Sequence, residues 1–377
     1  MHLTLHLTRS CNLRCDYCYA PPQACEPMSV EVGRKAMDVG LERGMGSCGV
    51  VFFGGEPLLQ KERIYELIEY GRQVRKDRKG MFHFKITTNG MLLDDAFIEY
   101  ACREDLIVAM SMDGIRPAHD AHRKTADGRP TFEILYPRLK ALLKAKPYSS
   151  VIMIVNPDTV RFMAESVSFL FDEGVRYLIL SPNYAAGWGT EDLEALQKQY
   201  QRLARQYIQW TRRGRKFYFS PFEVKIASRI HADRTGQLRC DLGMRQISVD
   251  PEGYLFPCVQ FPRAGKESDW CIGHVDRGID GDAWTRIRTL ACQPKQPCRD
   301  CAVESRCFHT CACLNWQTGG SITEASPILC KHEQMVIPIA DRIAEKLYAQ
   351  RDRMFIQKHY NDLYPYLSLV EDQLSGA

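Results

Sequence analysis

The chain has 377 residues, enough for two domains or for one barrel with an appendage. With 45% hydrophobic and 25% charged residues and a formal charge of +4, it has an ordinary globular composition, which excludes a disordered chain and lacks the basic excess of a nucleic-acid binder. No run approaches the ~18 apolar residues that span a bilayer, and MHLTLHLTRS alternates like a strand instead of presenting a charged segment followed by an apolar block. The expectation is a cytoplasmic protein with neither a membrane nor a nucleic-acid partner.

In chain order, β-rich runs fall at Leu3 to Thr8, Val50 to Phe53, Phe82 to Thr88, Ile107 to Met112, Val151 to Val155 and Val175 to Leu180. Between them, Ser29 to Arg43, Ile64 to Arg75, Phe132 to Lys144 and Thr159 to Glu173 carry apolar residues at helical spacing. Six βα repeats predict an α/β fold, a partial (β/α)6 TIM-like barrel over 1–189, whose functional groups belong on the loops after the strands. A helical linker region over 190–235 has Leu193, Leu196, Tyr200, Leu203, Tyr207 and Trp210 as a buried stripe, read as core packing. A small cysteine-bearing domain spans 236–335, where Asp250-Pro-Glu-Gly253 reads as a hairpin turn, and a helical tail takes up 336–377.

The outlier is cysteine, at sixteen residues. In an intracellular chain with its own large core, metal ligation is the leading explanation. Cys11, Cys15 and Cys18 lie in the loop leaving the first strand, and Cys240, Cys258, Cys298, Cys301, Cys307, Cys311 and Cys330 fall in the last third. Three soft thiolates leave a fourth metal position without a protein ligand, and this suits an iron–sulfur cluster or zinc; the loop lacks the His and helical carboxylate of hydrolytic zinc sites.

The C-x3-C-x2-C loop after a first barrel strand, with Tyr17 before the last cysteine, resembles the radical S-adenosylmethionine enzymes. The resemblance implies that Cys11, Cys15 and Cys18 are the catalytic and metal-binding residues. They would hold a [4Fe–4S] cluster whose open iron binds S-adenosylmethionine, the source of a 5′-deoxyadenosyl radical. The other motifs agree. Gly54-Gly55-Glu56-Pro57 follows the second strand, where the family receives the methionine amino group, and glycines with a carboxylate suit that role. Thr87-Thr88-Asn89-Gly90 follows the third strand. After the fourth, Ser111-x-Asp113-Gly114 and then His119, Asp120 and Arg123 resemble a pattern whose serine and arginine contact the cofactor, and Arg suits a carboxylate better than Lys. Tyr17, Gly54, Gly55, Glu56, Pro57, Asn89, Ser111, Asp113, Arg123, Asn156 and Leu180 are therefore the candidate cofactor contacts. Each has a plainer reading beside it: Asp113 caps a turn, His119 is structural, and Asn156 holds the turn before Pro157. Ser181, Tyr184 and Trp188 are candidates for a substrate pocket or for packing.

The order C-x12-G-x4-C, C-x2-C-x5-C-x3-C, then Cys330 resembles the SPASM domain of peptide- and protein-maturing members, which carries two auxiliary [4Fe–4S] clusters. Taken alone, C-x2-C reads equally as half a zinc ribbon. The resemblance gives Cys298, Cys301, Cys307 and Cys330 to the distal cluster and Cys240, Cys258 and Cys311 to the nearer one. The nearer cluster lacks a fourth ligand, because 231–239 contains no cysteine. Cys271, Cys292, Cys313 and His231 are candidates, and an open iron is the remaining alternative. Cys25, Cys48 and Cys102 read as incidental thiols.

These features imply an oxidoreductase with three [4Fe–4S] clusters and S-adenosylmethionine, reduced by a flavodoxin- or ferredoxin-type donor. The first reading is a maturase that oxidatively crosslinks a ribosomally made precursor peptide, as a thioether or C–C link. The runner-up is a dehydrogenase, an epimerase or a sulfatase-maturase-like enzyme acting on a protein side chain or small molecule. Sulfatase-maturing relatives carry an aspartate base after the second cysteine of the nearer cluster, where this chain has Val259. The chain begins directly at its first barrel strand, without the N-terminal leader-binding domain of many peptide maturases, which counts against a leader-dependent substrate unless a separate leader-binding protein, or docking of the leader on the barrel or tail, takes its place. An electron-transfer protein without catalysis would not need Gly54 to Pro57, Ser111 or Arg123.

Overall fold

The computed structural model describes residues 1–20, 22–77, 79–231, 240, 242–295 and 298–375. Six parallel strands run in sequence order: β1 (His2–Thr8), β2 (Ser47–Gly54), β3 (Met81–Thr88), β4 (Ile107–Ser111), β5 (Ser150–Val155) and β6 (Tyr177–Pro182). The crossovers carry α1 (Val30–Arg43), α2 (Lys61–Lys76), α3 (Asp95–Arg103), α4 (Arg116–His122), α5 (Phe132–Ala145) and α6 (Met163–Asp172). Leu3, Leu5 and Leu7 of β1 and Val50 and Phe52 of β2 are fully buried, as expected of strands covered by helices. Short polar caps start two of these helices, α1, where Ser29 accepts from the Val32 amide, and α3, where Asp94 accepts from that of Phe97.

Two departures have local causes. The expected helix from Thr159 opens as a 3-10 turn, Pro157–Phe162, before α6, because Pro157 follows the extended residue Asn156 and the Ala164 amide is capped by Gln199 Oε1 at 3.0 Å. The sixth strand starts at Tyr177, after Gly174 ends α6 at φ +96°. The helices α3 and α4, of 9 and 7 residues, are too short to show a clear period in the sequence.

Beyond β6, α7 (Thr190–Arg212) buries the Leu193-to-Tyr207 stripe against the barrel, and β7 (Tyr218–Phe219) and α8 (Ser220–Ile230) follow. The part of the linker region over 232–235 lies outside the described residues. On the opposite edge, β8 (Gln246–Val249) pairs in parallel with β1, and the expected hairpin leads to β9 (Tyr254–Phe256). β10 (Gly273–His274) and β11 (Gly278–Ile279) complete one open eleven-stranded sheet from β11 to β7. After α9 (Gly281–Ala291) and α10 (Ala312–Gly319), α11 (Pro327–Ala349) packs on α7 and α8. It begins well before the expected Val336, capped by Ser326. The tail ends in α12 (Arg353–Tyr360) and α13 (Tyr364–Ser375).

Candidate active site

The loop after β1 carries Cys11, Cys15 and Cys18, and three neighbours hold it in place. The Leu13 amide and Asn89 Nδ2 approach Cys11 Sγ at 3.4 and 3.5 Å, and Asn89 Nδ2 also donates to Asn12 Oδ1. His122 of α4 meets Asp16 through Nδ1 and Asp158 through Nε2. Tyr17 donates to Asp113 Oδ2 at 2.6 Å. Burial raises the Cys11 and Cys15 thiols, Cys15 to about 11 despite the Arg123 charge, so in the bare protein both favour the protonated form.

Gly54 and Gly55 are required by the backbone beside them. A Cβ on Gly54, whose φ is +128°, would lie 2.3 Å from the Thr8 carbonyl oxygen, and one on Gly55 would lie 2.1 Å from that of Ser10. Glu56 is fully buried; its carboxylate accepts from the Leu58 amide, the Thr88 hydroxyl and the Asn89 amide at 2.7 to 3.0 Å. Burial pushes its pKa up to about 7 against those three hydrogen bonds. Glu56 thus ties the β2 loop to the β3 loop, while Pro57 opens the short turn that follows.

After β4, Asp113 Oδ2 also accepts from Arg123 Nε at 2.9 Å, with both groups buried, and Asp113 Oδ1 accepts from the Ile154 amide. Arg123 lies over the Tyr17 ring; burial opposes its charge, but Asp113, Tyr17 and Cys15 more than offset that and raise its pKa. Asp113 engages Arg123 through Nε, and the terminal nitrogens have the geometry for a carboxylate. His119 accepts from the Asp113 amide through Nδ1, so Nε2 is left to donate to Thr131, whose hydroxyl donates to the Arg123 carbonyl. Burial lowers the His119 pKa to about 4, which fixes this neutral tautomer. Ser111 ends β4.

At the end of β5, Asn156 is 4% exposed; Oδ1 accepts from Asn183, and Nδ2 is buried with no partner among the described residues. His6 Nε2 and Tyr19 OH are two more such atoms. Both line a cavity of about 570 Å³ with Gly54, Gly55 and, from the C-terminal region, Val259 and Pro262. Leu180, Ser181 and Tyr184 line a second cavity, of about 490 Å³, with Cys240, Cys311 and His332. Trp188 packs into the core, its indole donating to the Asn183 carbonyl.

The later cysteines fall into two groups. Cys298, Cys301, Cys307 and Cys330 interact electrostatically with one another. Cys258, Cys311 and Cys313 meet elsewhere. Cys48 is buried, Cys102 exposed, and Cys25 accepts from the Arg9 amide. Sequence reasoning missed Asp16, His122 and Asp158, Thr131, Tyr19 and His332, and gave Thr88 no role of its own within its motif. His332 meets Tyr184 through Nδ1 at 2.9 Å and Tyr200 through Nε2 at 2.8 Å, one ring nitrogen donating and the other accepting.

No three Cys, His, Asp or Glu side chains among the described residues converge to hold one metal ion. A [4Fe–4S] cluster asks for something else, thiolates spread around several irons. The donor chemistry fits: soft thiols in the first loop, a buried guanidinium beside them, and an orphaned buried amide at the next strand end.

The parallel sheet has the open partial-barrel form of radical SAM folds. The Radical SAM superfamily profile matches residues 5–170, so this part of the chain is a radical SAM domain. It is 25% identical over 362 residues to an uncharacterized protein of Archaeoglobus fulgidus, covering 89% of this chain and 80% of that one. With the cysteine-type anaerobic sulfatase-maturating enzyme of Clostridium perfringens it shares 23% identity over 175 residues, 45% of this chain and 47% of that enzyme. With the PqqA peptide cyclase of Gluconobacter oxydans it shares 23% over 343 residues, 87% and 90% of the two. Among solved structures, native anSMEcpe with bound AdoMet matches with TM-score 0.78 at 19% identity over 92% of this chain and 99% of that one. Streptococcus suis SuiB bound to precursor peptide SuiA matches with TM-score 0.60 at 14% identity over 87% and 75%. These likenesses establish a shared fold, a partial barrel with an open sheet.

Proposed function

We propose that this protein is a radical SAM maturase with a C-terminal SPASM domain, three [4Fe–4S] clusters in all, that oxidatively crosslinks a peptide. The observation that carries the reading is the single hydrogen-bonded unit formed by the cysteine loop, Glu56, Asn89, Asp113, Arg123 and Tyr17 at the strand ends. When bound, the first cluster and S-adenosylmethionine supply a 5′-deoxyadenosyl radical that takes a hydrogen atom from the substrate.

The chain's own residues bind and orient. Cys11, Cys15 and Cys18 would hold the cluster as thiolates, so loading would release the protons that burial keeps on Cys11 and Cys15 in the bare protein. Arg123, fixed by Asp113, presents its fork to the cofactor carboxylate, and Lys in its place would lose the bidentate geometry. Backbone groups of 54–57 receive the amino group, while Ser111, Asn156 and Leu180 complete the cofactor contacts. The Asn156 amide donor is met by the ligand. The substrate enters between the strand ends and the C-terminal region, where the two cavities open. Support for a peptide comes from relatives named for peptide and sulfatase substrates. The donor we propose with it is of flavodoxin or ferredoxin type.

A second reading, oxidation of one side chain as in sulfatase maturation, is favoured by the similarity to the sulfatase-maturating enzymes. One experiment tests both. The purified, reconstituted enzyme is incubated anaerobically with candidate precursor peptides, and products are analysed by mass and fragmentation. Loss of two hydrogens joining two residues, absent with Cys15→Ala, supports crosslinking. An aldehyde captured by a hydrazide probe supports the second reading, and S-adenosylmethionine cleavage with an unchanged peptide overturns the peptide substrate.

A further inference from the structure

The chain brings Cys313, which no motif assigns, onto Cys258 and Cys311, which the resemblance gives to the nearer cluster. Cys311 caps α10 and Cys313 lies in its first turn, with their Sγ atoms 3.8 Å apart. The Cys313 thiol is also within hydrogen-bonding reach of Cys258, which follows β9. Cys258 and Cys313 are 3% and 6% exposed. Cys240 lines the same cavity as Cys311. The other candidates are apart from Cys258 and Cys311: Cys271 bonds the Gly273 carbonyl in the outer hairpin, and Cys292, exposed at the end of α9, lines a different cavity with Cys240 and Cys298. Tyr19, the residue after Cys18, interacts with both Cys258 and Cys313, which places this thiol group toward the first cysteine loop.

We propose that Cys313 is the fourth ligand of the nearer auxiliary cluster, completing with Cys240, Cys258 and Cys311 a closed four-thiolate site. The inference rests on the three-cluster reading above. Hydrophobic burial alone accounts for one small thiol, but it gives no reason to press three together, whereas a cluster requires four soft donors in one place. Two ligands from the first turn of α10 and one from the loop after β9 come from separately fixed elements, so the site is prepared before loading. With every iron held by protein, the cluster has no position for a substrate group and is restricted to electron transfer.

The test uses the whole protein, reconstituted anaerobically, read by iron and sulfide content and by the EPR of the reduced state with S-adenosylmethionine covering the first cluster. Wild type is expected to hold about twelve irons per chain, as three [4Fe–4S] clusters require. Cys313→Ala is expected to lose about four of them, or to keep them with one altered EPR signal that shifts further on adding imidazole. Cys271→Ala and Cys292→Ala are expected to match wild type. Wild-type iron content and spectra in Cys313→Ala overturn the proposal. So does an imidazole-induced shift of an auxiliary signal in wild type, a result that stands even if Cys313→Ala does not fold. A wild type holding only about four irons instead overturns the three-cluster reading itself.

Discussion

Asn156 and His119 show how burial turns an ordinary polar residue into a specific one. The unpartnered Asn156 Nδ2 carries a desolvation cost that a bound ligand relieves, worth about 1 to 1.5 kcal/mol. Asn156→Ala is therefore expected to weaken S-adenosylmethionine binding about tenfold, measured by calorimetry on the reconstituted enzyme. The His119 ring is neutral in the fold, with a pKa lowered to about 4 from 6.5 by burial. Because the folded value is depressed, the unfolded chain binds the proton first. The stabilisation is complete above pH 6.5 and is lost as pH falls toward 4, by up to roughly 3 kcal/mol. Denaturant titrations of the cluster-free protein are expected to show a shallower loss over that window for His119→Gln than for wild type. The sequence offered Asn156 as a cofactor contact and His119 as structural, but not the burial that sets these effects. His119 carries the same letter whether it is a solvated base or a buried brace, and only its contacts to the Asp113 amide and Thr131 decide.

At the scale of elements, the cysteine loop is positioned by its neighbours more than by itself. Gly54 and Gly55 run against residues 8–10 so closely that a single methyl group collides with a carbonyl oxygen. Gly54→Ala is expected to cost about 1 to 3 kcal/mol of stability, seen as a lower midpoint in denaturant, and to abolish S-adenosylmethionine cleavage by displacing the loop. The strands and long helices were readable from periodicity, because burial on both faces of a parallel sheet forces apolar runs. The strand-end motifs were readable because each needs particular residue types at fixed spacing. The contacts among those motifs were not. The bond from Tyr17 to Asp113 spans 96 residues, and Glu56 reaches Asn89 across two strands.

In the whole molecule, the barrel and the C-terminal region share one sheet. The β8 strand covers the edge of β1, and Arg9, at the head of the cysteine loop, pairs with buried Asp250 in the β8–β9 turn at 3.0 Å. A chain ending at residue 231 would expose the β1 edge, with its buried Leu3, Leu5 and Leu7, as a template for other chains. It is expected to aggregate or elute as oligomers in size-exclusion chromatography, where the full chain gives a defined peak. Among the described residues, no helix is long and apolar enough to cross a membrane.

The sequence by itself determined the alternation of strands and helices, the cysteine spacing and the kinds of donor at each strand end, since periodicity and motif spacing are properties of neighbours along the chain. Only the tertiary structure decided which donors are used up inside the protein and which point outward. Glu56 is committed to three internal hydrogen bonds, while Asn156 Nδ2 has no partner among the described residues, and Cys313, unlike Cys271 and Cys292, sits with Cys258 and Cys311. The physical reason is that hydrogen-bond satisfaction and burial depend on what packs across the sheet, over separations that no local pattern records.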